Sequence, residues 1–178
     1  MAELLYDLHP VTHFTIDALG APGRRTFLLQ AADEERVVTL VIEKEQALAL
    51  AGAIQELLIH VAEQYPERTI PQEPPALDLS LREPLDPSFR AGELGLGYDE
   101  HEDMLVLIAR AVAEEGREDE APMVRFWLSR PRGRAACLHA LAVVAAGRPL
   151  CPLCGEPMDP QGHWCPRGNG HGKRGIDA

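Results

Sequence analysis

The stretch "THFTIDALGAPGRRTFLLQAADEERVVTLVI", residues 12–42, decides the fold. Aromatic and β-branched residues gather in THFTIDA, RRTFLLQA and VVTLVI, while GAPG and DEER punctuate them. Glycine, proline and acidic residues at the breaks are turn formers, so the run reads as three strands joined by tight turns. The period then changes. Ala47, Leu50, Ala51, Ile54, Leu57, Leu58 and Val61 step by three and four, one face of an amphipathic helix over about Lys44 to Gln64.

The same order of elements recurs downstream. FRAGELGLGYD and DMLVLIARAVA read as strands, and MVRFWLS follows as a third after the acidic loop EEGREDE. Ser129 is placed to cap a second helix with Pro131 in its first turn, and Gly147 to end it. Ala135, Leu138, Leu141, Ala142 and Ala145 form the expected buried stripe of that helix. Strand–strand–strand–helix therefore occurs twice, which fits a divergent internal duplication or two units of similar architecture without common descent.

Three antiparallel strands and one helix leave an apolar face that a single unit covers poorly, so the two units are expected to share one core. The predicted fold is α+β: a two-lobed domain over residues 1–147, with units at about 10–64 and 88–147, then a zinc-binding segment and tail over 148–178. The helices are expected to cover sheet faces rather than cross between parallel strands. Between the units, PERTIPQEPPALDLSLREPLDP is rich in X-Pro steps that favour extended chain, and residues 65–87 read as a surface connector with a short strand near 77–81.

The chain's 178 residues are 46% hydrophobic and 25% charged, enough to build a core without disulfides. MAELLYDLHP lacks the basic flank and apolar run of a signal peptide, and no stretch reaches the roughly 20 apolar residues of a membrane helix. A soluble, cytoplasmic protein is expected. The net charge of −11 is uneven: residues 121–178 hold eight Lys or Arg against three Asp or Glu, a net +5, which leaves −16 on the first 120. That acidic body repels nucleic acid at long range, while the basic end suits an anionic partner.

Three of the four cysteines crowd into "CPLCGEPMDPQGHWCPRGNGH", residues 151–171. Cys151-Pro-Leu-Cys154-Gly has the form of a zinc knuckle, in which two thiolates face one ion and Gly155 permits the turn behind them. His163 and Cys165 complete a Cys3His set, and His171 is the rival fourth ligand. His163 is favoured because alternate residues of an extended chain point the same way as Cys165, whereas His171 needs its loop to fold back. Four protein ligands leave no open position for water or substrate, so the zinc is expected to be structural.

Several segments together, "HFTIDALGAPGRRTFLLQA", "VTLVIEKEQ", "FRAGELGLGYD", "VVAAGRPLCPLCGEPMDP" and "GHWCPRGNG", resemble domain-of-unknown-function family 3090, bacterial proteins described as repeat proteins. The resemblance spans nearly the whole chain. It implies the repeat architecture and a ligand role for Cys151, Cys154, His163 and Cys165, and it implies no activity.

No catalytic constellation emerges. Gly95-Leu-Gly97 lacks the third glycine and the following helix of a dinucleotide loop. GAPGRR offers a phosphate cradle beside Arg24 and Arg25, but its place between two strands favours a plain turn. Cys137 and His139, two apart on a helix, face different ways and make no nucleophile–base pair; Cys137 reads as a small buried hydrophobe. His13, His60 and His101 have no partner at recognisable spacing. Asp99, Glu100, Glu102 and Asp103 read as a solvated hairpin turn rather than a cation site. The expected function is a non-enzymatic adaptor acting through protein–protein contact, its partner an acidic surface met by Arg130, Arg132, Arg134, Arg148 and Arg167. Nucleic-acid binding through the basic end and an enzyme with an unfamiliar site are the alternatives.

Overall fold

A computed structural model describes residues 2–72, 76–159 and 161–168. Its elements are β1 (Leu4–Leu8), β2 (His13–Leu19), β3 (Thr26–Ala32), β4 (Val37–Ile42), α1 (Lys44–Gln64), β5 (Phe89–Asp99), β6 (Met104–Ala111), β7 (Met123–Ser129) and α2 (Arg130–Ala145), with a single 3-10 turn at Glu118–Glu120. The two strand–strand–strand–helix units are thus β2–β3–β4–α1 and β5–β6–β7–α2. Nothing before residue 12 reads as a strand in the sequence, yet Leu4–Leu8 forms one. It is short and mostly exposed, and its hydrogen-bonding partner β7 lies more than a hundred residues away.

The strands form one sheet in the order β1-β7-β6-β5-β4-β3-β2. Within each unit the strands are antiparallel. Two pairings are parallel: β4 runs beside β5 with Leu40 opposite Phe89, where the units meet, and β7 runs beside β1 with Phe126 opposite Leu8. One expectation is corrected here. The path β4–α1–connector–β5 is a crossover between parallel neighbours, although the sequence suggests helices that only cover faces. The first and last strands of a three-stranded antiparallel unit point the same way, and the second unit runs in the same sense as the first, so β5 lies parallel to β4.

Residues 9–12 then carry the chain from one end of the sheet to the other. Val11 N donates to Trp127 O of β7 at 2.9 Å, and Thr12 N donates to Ala32 O of β3 at 2.8 Å. Phe14 of β2 consequently meets Phe126 of β7 edge to face, with ring centroids 6.5 Å apart. The curled sheet wraps a single core in which Ile16, Leu29 and Leu40 from the first unit join Leu105, Leu107 and Leu128 from the second. Each helix also reaches across, α1 to β5 and α2 to β2, and the helices pack on each other.

Helix α1 spans the predicted residues. Glu43 caps it, with Gln46 Oε1 accepting from Glu43 N at 2.8 Å, and the Gln46 amide tied to the carbonyls of Ala91 and Gly92 on β5. Leu50, Ile54 and Leu58 are buried as the period requires. In α2, Ser129 is the N-cap and accepts from Arg132 N at 3.3 Å, again as predicted. The buried stripe of α2 differs from the expectation, however. It consists of Gly133, Ala136, Cys137 and Ala140 with Ala135 beside them, while Leu138 is 38% exposed and Leu141 only half-buried. Close packing selects the small residues: a Cβ on Gly133 would stand 2.4 Å from Leu105 Cδ1 of β6, and Cys137 Sγ lies 3.1 Å from Ala51 O of α1. Cys137 is buried, as expected of a small hydrophobe.

The connector packs on the face of the first unit opposite the core. Thr15, Gln30 and Thr39 lie in register across β2, β3 and β4. Thr15 donates to Leu79 O at 2.6 Å, Gln30 exchanges two 2.8 Å bonds with the Arg82 backbone, and Thr39 donates to Pro84 O at 3.4 Å. A polar row inside a β-rich run is therefore what pins the Pro-rich chain. Residues 77–81 form no strand, and Leu79 O is taken by the Thr15 hydroxyl instead of by a strand edge. Among the described residues, no helix is long and apolar enough to cross a membrane.

Candidate metal centre

Helix α2 ends where Ala146 N returns to Ala142 O and Gly147 N to Val144 O. The chain then enters a small hairpin. Met158 N donates to Pro149 O and Cys151 N to Glu156 O, both at 2.8 Å, and Leu150 bridges Pro157. Gly155 N donates to Cys151 O at 2.8 Å, and Gly155 has φ of 77°, a left-handed conformation that a side chain would oppose. That turn places Cys151 and Cys154 together. A second turn at Gly162, bridged to Asp159, brings His163 and Cys165 back over them, and Gly168 N closes onto Cys165 O at 3.1 Å.

One ligand atom from each of Cys151, Cys154, His163 and Cys165 lies within 4.8 Å of all the others. Cys151 Sγ and Cys165 Sγ are 3.8 Å apart, and Cys154 Sγ is 3.2 Å from His163 Nε2. Cys151 and Cys165 are buried, while Cys154 and His163 are half-buried. The backbone N–H of Cys154 aimed at Cys151 Sγ, with that of Leu153, holds the Cys151 thiol below its ordinary pKa and favours thiolate. His163 Nδ1 is buried without a hydrogen-bond partner, so Nε2 is the nitrogen presented to the cysteines. The four residues lie close enough to hold one metal ion. The rival ligand His171 lies outside the described residues.

The remaining candidates separate. Arg130 is committed to the body: it grips Asp103 through Nε at 2.6 Å and its terminal nitrogen at 2.9 Å, and donates to Thr69 O at 2.7 Å. The carboxylate that holds it, Asp103, belongs to the β5–β6 turn of the acidic body. Arg148 pairs with Asp159 at 3.0 Å, and Arg167 reaches Leu153 O at 3.4 Å, so both stand at the knuckle. Arg132 and Arg134 lie half-buried in the first turns of α2. Because α2 is 16 residues long, its two ends are about 24 Å apart, which separates Arg130 from Arg148.

Gly95 and Gly97 sit inside β5 opposite Ile108 and Val106, not in a phosphate loop. Cys137 and His139 part as expected, His139 Nε2 standing 3.0 Å from Asp17 Oδ2. In the acidic hairpin, Asp99 accepts from His101 N and Glu102 N, Glu100 from Tyr65, and Glu102 contacts His9, so the turn is held by its own carboxylates. Sequence reasoning missed the apolar surface of the knuckle: Trp164 is 68% exposed and Leu150 64%, with Leu153 exposed as well. Their signal was an aromatic and two leucines interleaved with ligands in a segment too short to bury them.

No curated protein and no solved structure matches the chain in comparison. A family model described as "Protein of unknown function (DUF3090)" matches residues 6–165, which includes both units and all four candidate ligands. The chain belongs to that family.

Proposed function

We propose that the protein is a non-enzymatic adaptor whose C-terminal knuckle is braced by one structural zinc ion and docks an acidic partner protein. The observation that carries the metal assignment is the donor set itself. Tetrahedral zinc with Zn–S of about 2.3 Å requires sulfurs about 3.8 Å apart, and Cys151 and Cys165 stand at 3.8 Å. The Cys154–His163 separation of 3.2 Å is shorter than the tetrahedral edge of about 3.6 Å and needs a small opening to admit the ion. Three thiolates and one imidazole are a zinc set in a chain whose four cysteines are all free thiols. With four protein ligands the ion has no open position, and its work is to fold a segment that has no core of its own.

The docking reading is supported by what the ligands leave outside. Leu150, Leu153 and Trp164 are exposed around the site, and Arg148 and Arg167 flank them. Exposed aromatic and aliphatic anchors with arginine beside them are the usual composition of an interface centre. The test is co-purification from native cells with the full chain and with Leu153→Ser/Trp164→Ser. A partner retained by the parent and lost by the variant, with zinc content equal in both, is the expected result. Equal capture by both chains, or capture of nucleic acid in place of protein, contradicts the adaptor reading.

A further inference from the structure

A cleft of about 370 Å³ opens beside the knuckle, between the β2–β3 turn, the start of α1 and the segment after α2. This lies within the range of about 300–1,000 Å³ that small-molecule sites occupy. Its wall carries four cations, Arg25, Lys44, Arg90 and Arg148, against two carboxylates, Glu43 and Glu45. In a chain of net charge −11 this is a local inversion. Arg90 and Glu43 pair with each other, and Glu43 also accepts from the helix backbone it caps, so one carboxylate is already neutralised. Glu45 is exposed.

The two central arginines are fixed in place. Arg25 donates to Val143 O at 2.6 Å and lies 5.0 Å over the Phe27 ring. Gly147 leaves the room that its guanidinium takes, since a Cβ there would stand 2.8 Å from an Arg25 terminal nitrogen. Arg148 is held by Asp159 and rests over Gly23, where a Cβ would meet its Nε at 3.1 Å. Gly23 has φ of 87°, so the turn that makes this space depends on glycine. Phe27 and Leu150 supply apolar surface in the same cleft.

The matching corner of the second unit is filled. There the β5–β6 turn, the start of α2 and the chain after α1 meet through Arg130 on Asp103, Tyr98 OH donating to Asp103 at 2.6 Å, and Arg68 against Tyr98 and stacked 4.4 Å over Tyr65. Two equivalent corners of a repeated architecture have thus taken different forms. One is knitted shut by acid, base and phenol, and the other is left hollow and basic.

We infer that this cleft is a binding site for a small organic phosphate, with Arg25, Arg148 and Lys44 around the phosphoryl group and Phe27 and Leu150 against the organic part. Guanidinium pairs suit phosphate oxygens because they donate in a planar fork. A polyanion is disfavoured by the acidic body around the cleft. The GAPGRR turn, a plain hairpin by position, carries Arg25 to this place.

The experiment titrates the full chain with phenyl phosphate, by calorimetry and by amide chemical shifts, with phenol as the uncharged control. Saturable binding at a Kd of about 1 mM or tighter is expected, weakened by salt and with shifts centred on residues 23–27, 41–45 and 147–150. Phenol should not bind. Lys44→Glu, an exposed position, should weaken binding at least tenfold with an unchanged melting temperature. Arg25→Gln should do the same, and the unchanged fold of Lys44→Glu keeps the result readable if Arg25→Gln loosens α2. Arg117→Glu, in the remote acidic loop, should bind as the parent does. Absence of saturation, equal binding of phenol, or parent-like affinity in Lys44→Glu would overturn the assignment.

Discussion

His13 is 1% exposed, and neither ring nitrogen has a hydrogen-bond partner. Burial holds its pKa below the ordinary value of 6.5, and the nearby Arg82 charge acts in the same direction. The neutral ring is therefore the folded form, and the unfolded chain binds a proton more readily. Stability from this residue is complete above about pH 6.5 and falls as pH drops below it, by up to about 1.4 kcal/mol per pH unit. His13→Gln should flatten the slope of unfolding free energy between about pH 6.5 and 5; a parent-like slope in that variant would assign the acid sensitivity to other groups. Sequence alone showed His13 as an isolated histidine in a strand. Its burial was hidden because the connector that helps cover that face is more than sixty residues away and polar in its contacts.

The elements divide by how local their causes are. The strands of both units and α1 lie within about two residues of their sequence reading, because turn residues and a single hydrophobic period decide them. Helix α2 was found with its Ser129 cap, but its buried face differs: apolar size marked Leu138, whereas Gly133 is pressed on Leu105 of β6 and Cys137 on Ala51 of α1. Two substitutions separate these readings. Gly133→Val, pressed against Leu105, should destabilise by about 1–3 kcal/mol through overpacking, while Leu138→Ala should change the denaturant midpoint little. Ile54→Ala and Leu58→Ala, each removing a buried side chain of α1, should cost about 2–5 kcal/mol. Comparable losses for Leu138→Ala and Leu58→Ala would show that the α2 face is wrongly placed.

For the whole molecule, the parallel β4–β5 junction and the parallel β1–β7 pair stayed invisible in sequence because strand partners depend on contacts across the chain. The knuckle was the opposite case. Its CxxC turn, its glycines and its HxC pair are short-range features, so Cys151, Cys154, His163 and Cys165 stand out as candidates in the sequence, and the folded chain gathers them. Of the arginines expected to form one docking face, Arg130, Arg132 and Arg134 stand at the start of α2 and Arg148 and Arg167 at the knuckle. The decisive measurement is elemental analysis of the full chain purified without chelator, beside Cys151→Ser, His163→Ala and His171→Ala. One zinc per chain in the parent, loss in Cys151→Ser and His163→Ala, and retention in His171→Ala are the expected results. Zinc lost with His171 and kept without His163 would give the fourth position to His171, and a metal-free parent would contradict the zinc-braced knuckle altogether.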